Sequence, residues 1–165
     1  MYPGLTIHFA TAKDIAAIEK LAQEIWPATY KAILSAEQLQ YMMNLNYSTA
    51  SLEKQLEQHR FLLAELDNEL IGFASYGPLD VPGIYRLHKI YIHPKTQGKG
   101  IGKSIIDFIV EQLHLQQATA LRLSVNRYNK AKQFYEKLGF SVIAEEDIDI
   151  GGGFFMNDYV MEKQV

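Results

Sequence analysis

One stretch restricts the fold more than any other. Residues 84–104 read IYRLHKIYIHPKTQGKGIGKS. An extended run rich in β-branched and aromatic residues meets Pro94, then a turn with glycine at alternate positions, then the start of a helix. Ile101, Ile105, Ile106, Phe108, Ile109 and Leu113 recur at helical spacing, so that helix has one apolar face. A further strand is expected at Ala120–Val125. Strand, helix and strand in this order make a β-α-β crossover, with two parallel strands in one sheet and the helix packed across it.

The rest of the chain fits around that unit. Leu5–Ala10 reads as a strand. Thr11 precedes a helix whose buried face is Ile15, Ile18, Leu21, Ala22 and Ile25, and Pro27 is expected to end it near Trp26. Ser35 and Gln38 form a capping-box pattern for a helix over Ala36–Leu45, and another helix is expected over Ala50–His59. RFLLAEL and LIGFASYG flank Asp67-Asn68-Glu69 as a β-hairpin. A helix over Asn129–Leu138 closes at Gly139, and Ser141–Glu145 and Phe154–Met161 are the last strands. The order β-α-α-α-β-β-β-α-β-α-β-β predicts an α/β (α+β) fold with a mixed, mostly antiparallel sheet. The chain of 165 residues is read as one domain.

Composition narrows the partners. The net charge of −3 disfavours nucleic acid, whose binding needs phosphate neutralisation; a local basic patch at Lys95, Lys99 and Lys103 remains. The N-terminus lacks a charged leader and apolar run, and no apolar run is long enough to span a membrane. There is no cysteine, which fits a reducing, cytoplasmic setting and removes thiolate metal sites. The five histidines have no ligand spacing, so no metal site is expected.

The glycine turn is suited to an anion. Alternate glycines let several N–H groups point inward, and the following helix adds unpaired N–H groups and a positive dipole end. The ending Gly102-Lys103-Ser104 suggests a P-loop, but Gln97 stands where the pattern G-x-x-x-x-G-K-[ST] requires its first glycine. The strand ALRLSVN ends in Asn126 rather than in a magnesium-binding acid. The dinucleotide pattern G-x-G-x-x-G fails as well. A turn that merely connects strand to helix is the plain alternative.

Gln97-Gly98-Lys99-Gly100-Ile101-Gly102, read as Q/R-x-x-G-x-G/A after KIYIHP, resembles the acyl-CoA pyrophosphate loop of the GCN5-related N-acetyltransferase (GNAT) family. LSVNRYNKAKQFYEKLGF, Leu123–Phe140, is similar to that family's second signature: strand, Asn, helix, then F-Y-E-K-x-G-F. The resemblance covers essentially the whole chain, in outline only over the N-terminal third. Within the family it is nearest to small bacterial diamine and polyamine acetyltransferases.

The resemblance implies direct transfer of acetyl from acetyl-CoA to a primary amine of a polyamine-like small molecule or a peptide. It divides the domain into an acceptor wall and hairpin over about residues 1–83, an acetyl-CoA core over about 84–140, and C-terminal strands over 141–165. It implies that the backbone of Gln97 to Gly102 holds the pyrophosphate, with Lys103 and Ser104 on the first helical turn beside it. Ile92 would pair with the pantetheine arm through its backbone. The Ile90 N–H would face the thioester oxygen. Tyr135 would protonate the departing thiolate, and Asn129 would cap its helix or bind the pantetheine region. Where relatives carry a basic Glu, this chain has Arg86, which cannot accept a proton. His88, two residues on, is the leading candidate base, ahead of Glu24, Glu145 and Glu146. Trp26 and Tyr30 are expected to line the acceptor cleft from a loop at Pro27. Exposed aromatics in that third or on the last strands would serve a homodimer. The missing Glu also admits a non-catalytic acyl-CoA sensor.

Overall fold

The computed structural model describes residues 2–165. The elements follow the expected order: β1 (Leu5–Phe9), α1 (Ile15–Tyr30), α2 (Ala36–Tyr47), α3 (Thr49–Gln58), β2 (Arg60–Leu66), β3 (Glu69–Pro78), β4 (Ile84–Ile92), α4 (Ile101–Leu115), β5 (Ala120–Asn126), α5 (Ala131–Lys137), β6 (Ser141–Gly151) and β7 (Phe154–Gln164). Short 3-10 turns at Ala12–Asp14 and Pro94–Thr96 lead into α1 and away from β4. The strands form one seven-stranded sheet in the order β1-β2-β3-β4-β5-β7-β6. Every neighbouring pair is antiparallel except β4 and β5, which are joined through α4 as a β-α-β crossover.

Each face of the sheet carries its own core. Ile101, Ile105, Ile106, Ile109 and Leu113 of α4 pack with Leu62, Leu87, Leu121 and Leu123 on one face. Ile18, Ile25, Trp26, Met42, Tyr47 and Leu52 of α1–α3 pack on Phe61, Leu63 and Phe73 on the other. The β2–β3 hairpin turns through Asp67 and Asn68, both at positive φ, as a two-residue loop of favoured twist requires. Strand β6 lies at one edge of the sheet, beyond β7, with its side chains largely exposed.

Three boundaries differ from expectation. Pro27 does not end α1, which runs on to Tyr30. Proline inside a helix costs about 3 kcal/mol. Here it sits in the last turn, and continuation buries Trp26 and Tyr30 on the face already occupied by Ile18 and Ile25. So Trp26 and Tyr30 stand on a helix, not on a loop. Ser35 caps α2 by accepting from the Gln38 N–H at 3.1 Å, but the Gln38 amide donates to the Phe155 carbonyl instead of closing a capping box. The reciprocal box is at Thr11 and Asp14. The final strands are longer than expected because the glycines at 151–153 take positive φ and compress the connection to a tight turn.

Two irregularities shape the site. First, β4 and β5 pair only from Ile84↔Ala120 to Leu87↔Leu123; beyond that they separate. Second, Ser75 pairs with Lys89 while Tyr76 pairs with Leu87, so His88 is an extra residue bulged out of β4. The bulge resets the alternation. Leu87, Ile90 and Ile92 join the α4 core, while Tyr91 joins the α1 core.

Candidate active site

A cleft of about 1200 Å³ runs through the gap between β4 and β5. At one end lie the glycine turn and the first turn of α4; at the other lie α1, α2 and β7. The turn follows from its glycines. Gly98 and Gly100 have φ of +84° and +72°, and a Cβ at either would meet no atom within 4 Å. Gly102 differs: its Cβ would stand 3.0 Å from Phe134 Cζ and 3.2 Å from Ile92 Cδ1, so it lets α4 pack closely on β4 and α5. The first α4 hydrogen bond is Ser104 N–H to Gly100 O, 3.1 Å. The N–H groups of residues 101–103 precede it and point out of the helix start. Room for a ligand beside the glycines and a row of unpaired donors fit a pyrophosphate.

The charged side chains expected there divide. Lys103 lines the cleft and also pairs with Asp107 at 2.6 Å. Lys99 lies over the Tyr2 ring, and Lys95 pairs with Glu69. The Ser104 hydroxyl donates to the Gly100 carbonyl at 3.2 Å. Gln97 reaches the Ile92 carbonyl with its amide at 3.5 Å.

The strand edge is equally specific. His93 donates its N–H to Ile71 of β3 at 2.7 Å. Backbone donors alternate along an extended strand. The N–H groups of Ile92 and Ile90 therefore point the other way, to the edge that β5 has left. That open edge suits an extended arm lying alongside as a strand would.

Tyr135 projects from α5 between Phe134 and Phe140, with ring centroids at 5.2 and 5.8 Å. It is 8% exposed and lines the cleft. Its hydroxyl makes no hydrogen bond among the described residues, and burial pushes its pKa well above the usual phenol value. It therefore stays protonated at any physiological pH. Asn129 accepts from the Ala131 N–H at 2.9 Å, a local turn that leads into α5 one residue before its cap at Lys130; Asn129 also lines the cleft.

The acceptor end is aromatic and polar. Trp26 donates to the Tyr47 hydroxyl at 2.9 Å, and the hydroxyls of Tyr30 and Tyr91 are 2.9 Å apart. Burial pushes Tyr30 up to about 12. His88 lines the cleft and stacks on His59, with ring centroids 3.7 Å apart and planes at 18°. Burial, then the neighbouring His59, lowers it to about 3, so it is neutral at pH 7. Glu24 instead faces His93 at 3.4 Å, outside the cleft lining; Glu145 and Glu146 lie on exposed β6.

Sequence reasoning missed Asp158, Lys89 and the Ser124 partner of Arg86. Asp158 of β7 is 6% exposed, and its Oδ1 has no hydrogen-bond partner among the described residues. Burial raises its pKa while Arg86 opposes that rise. Arg86 donates to Ser124 Oγ at 2.6 Å. Lys89 holds its ammonium 4.9 Å from the centre of the Tyr47 ring, and burial lowers its pKa to about 8. The one available signal was a charged residue at an inward position of an otherwise apolar strand, and inwardness depends on a bulge that no residue pattern announces.

Comparison with known proteins now bears on this geometry. The family model for the acetyltransferase (GNAT) domain matches residues 19–162. The chain belongs to the GNAT acetyltransferase family. As a GNAT enzyme it is an N-acetyltransferase with acetyl-CoA as its donor. It is 28% identical to a spermidine N(1)-acetyltransferase of Thermoplasma acidophilum, over 98% of each chain. It is 26% identical to an L-methionine sulfoximine/L-methionine sulfone acetyltransferase of Salmonella typhimurium, over 86% of this chain and 82% of that one. The solved PaiA N-acetyltransferase of Thermoplasma acidophilum, in complex with coenzyme A, superposes with a TM-score of 0.81 at 28% identity, covering 98% of this GNAT chain and 99% of that one. Among the described residues no cluster of side chains could hold a metal, and no helix is long and apolar enough to cross a membrane.

Proposed function

We propose that this GNAT enzyme acetylates the primary amine of a small molecule or a peptide, with Tyr135 as the proton donor to the leaving sulfur. The observation that carries the reading is the Tyr135 hydroxyl, protonated and without a hydrogen-bond partner among the described residues, in the wall of the cleft. It lies between the phosphate-suited turn and the aromatic acceptor end. The two relatives, named for a polyamine and for an amino-acid analogue, support an amine acceptor.

Acetyl-CoA supplies an acetyl thioester, whose carbonyl carbon takes the amine nitrogen as the C–S bond breaks. The chain's own groups do the rest. Donors of residues 97–102 hold the pyrophosphate, with Lys103 adding charge beside them. The Ile92 backbone aligns the arm, and the Ile90 N–H faces the carbonyl oxygen, where negative charge develops. Tyr135 gives its proton to the thiolate. His88 takes the amine's proton. Its lowered pKa makes it no stronger a base than a carboxylate, but it is neutral and ready at every pH above about 4. Trp26 and Tyr30 wall the acceptor, and Asn129 steadies the α5 turn beside the arm.

A thiol-release assay with acetyl-CoA and a panel of diamines, amino acids and N-terminal peptides tests this. The expected result is CoA release with at least one amine, lost in Tyr135→Phe. Tight acetyl-CoA binding with no release from any amine refutes catalysis and leaves a sensor.

A further inference from the structure

The charges that line the cleft are unequal, and their arrangement bears on the acceptor. Asp158 is the one carboxylate among the described residues of the lining, against Arg86, Lys89, Lys103, Lys130 and Lys137. Lys103, Lys130 and Lys137 belong to α4 and to the segment carrying α5, beside the phosphate-suited turn. Arg86 and Lys89 stand on β4, with the aromatic acceptor end. A polyamine would bring two or more positive charges into a chamber that already holds two cations and a single carboxylate. The acids that could offset them, Glu145, Glu146, Asp147 and Asp149, lie on exposed β6 and are not in the lining.

Neither pole of this chamber is satisfied from within. The Asp158 Oδ1 is buried without a hydrogen bond among the described residues, although buried polar atoms ordinarily find a partner, and Asp158 itself lines the cleft. Lys89 has no carboxylate within ion-pair distance among the described residues; the bulge at His88 turns it over Tyr47 into the cleft. Arg86 already uses one nitrogen on Ser124. Asp158, Tyr30 and Tyr135 line the same cleft.

We infer that the acceptor is an amine bearing its own acid group, its ammonium held by Asp158 and its anion by Lys89 with Arg86 behind. The inference rests on the acetyl-transfer reading above and narrows it to zwitterions such as amino acids. A polycation fits this pair of poles poorly, and so does an amine whose acid is blocked.

Matched pairs test it: amino acids of several chain lengths against their amides, with 1,4-diaminobutane and spermidine beside them. Direct binding is read by calorimetry without acetyl-CoA, and turnover by CoA release. The free acids should bind at least tenfold tighter than their amides and turn over at lower KM. Lys89→Met, which keeps the length and apolar stem, should erase that preference by raising the KM of the acid toward that of its amide. Asp158→Asn should raise KM for acid and amide alike, with an unchanged melting temperature showing that the fold survives. Polyamines turning over as well as the acids, or an acid-to-amide ratio untouched by Lys89→Met, overturns the two-pole site and leaves acetyl transfer standing. No CoA release from any amine overturns both.

Discussion

Tyr135→Phe separates chemistry from folding with unusual clarity in this protein. The ring is held by Phe134 and Phe140, and both contacts survive the substitution. The lost hydroxyl has no hydrogen-bond partner among the described residues, so none of their hydrogen bonds is broken. Removing it should shift stability by less than about 1 kcal/mol, in either direction. The kinetic loss should be far larger. A positioned acid contributes about 10²–10⁴-fold, or about 3–5 kcal/mol of barrier. A thiol with a pKa near that of cysteine, about 8.5, already leaves tolerably as thiolate, so the expected loss in kcat lies toward the lower end, about 10²-fold. The acetyl-CoA affinity should change little. The assay is single-turnover CoA release, which isolates the chemical step, with a denaturant melt of the same preparation. A rate within about threefold of wild type in single turnover would refute the proton-donor role outright. A tenfold loss of acetyl-CoA affinity with unchanged chemistry would make Tyr135 a binding residue instead.

Gly100→Ala places a Cβ at φ +72°, where an L-residue costs about 1–2 kcal/mol, in space that no protein atom occupies. A denaturant melt should show that modest loss, and calorimetry with CoA a weakening of at least tenfold, because the same space is needed for phosphate. Trp26→Phe leaves the buried Tyr47 hydroxyl without its 2.9 Å donor. It should cost about 1–3 kcal/mol by thermal melting and raise the acceptor KM more than the acetyl-CoA KM. The stacked pair His59 and His88 gives a pH signature. Both have native pKa values below the ordinary 6.5, that of His88 at about 3, so the unfolded chain binds more protons as pH falls below 6.5. Their contribution is intact above that pH and is lost progressively toward pH 3. Thermal melts from pH 7.5 to 5 should show wild type falling faster than His59→Phe, and the His88 ring signal should not titrate by NMR above pH 5.

The proposed donor half of the site was legible in the sequence because its chemistry would be made by the backbone. A cradle for phosphate needs glycines at positive φ and a helix start, and both leave marks: Gly98 and Gly100 in the turn, the isoleucine stripe of α4 behind them. Tyr135 and Asn129 were legible for a related reason, since they sit within one short strand-turn-helix whose local pattern is compact. The β-α-β crossover and the order of elements along the chain followed from the same local signals.

The acceptor half is made by side chains from distant segments, and their direction depends on events the residues do not announce. Helix α1 runs through Pro27 because the aromatic face behind it is worth more than one lost hydrogen bond; the proline alone pointed to a loop. Between Ser75 and Lys89 the ladder slips by one residue, and that slip decides which way Lys89 points. Without it, strict alternation would put Lys89 opposite His88, on the α4 side. Asp158 shows the same limit, for it reads as an ordinary polar residue in FFMNDYVMEKQ until β7 is seated beside β5 with Asn126 opposite it. The phosphate end can therefore be shared by relatives with different acceptors, while in the two-pole proposal substrate choice rests on three strand positions, 86, 89 and 158. Exchanging charge at those positions should redirect acceptor preference without disturbing the hold on acetyl-CoA, because no backbone donor of the turn depends on them.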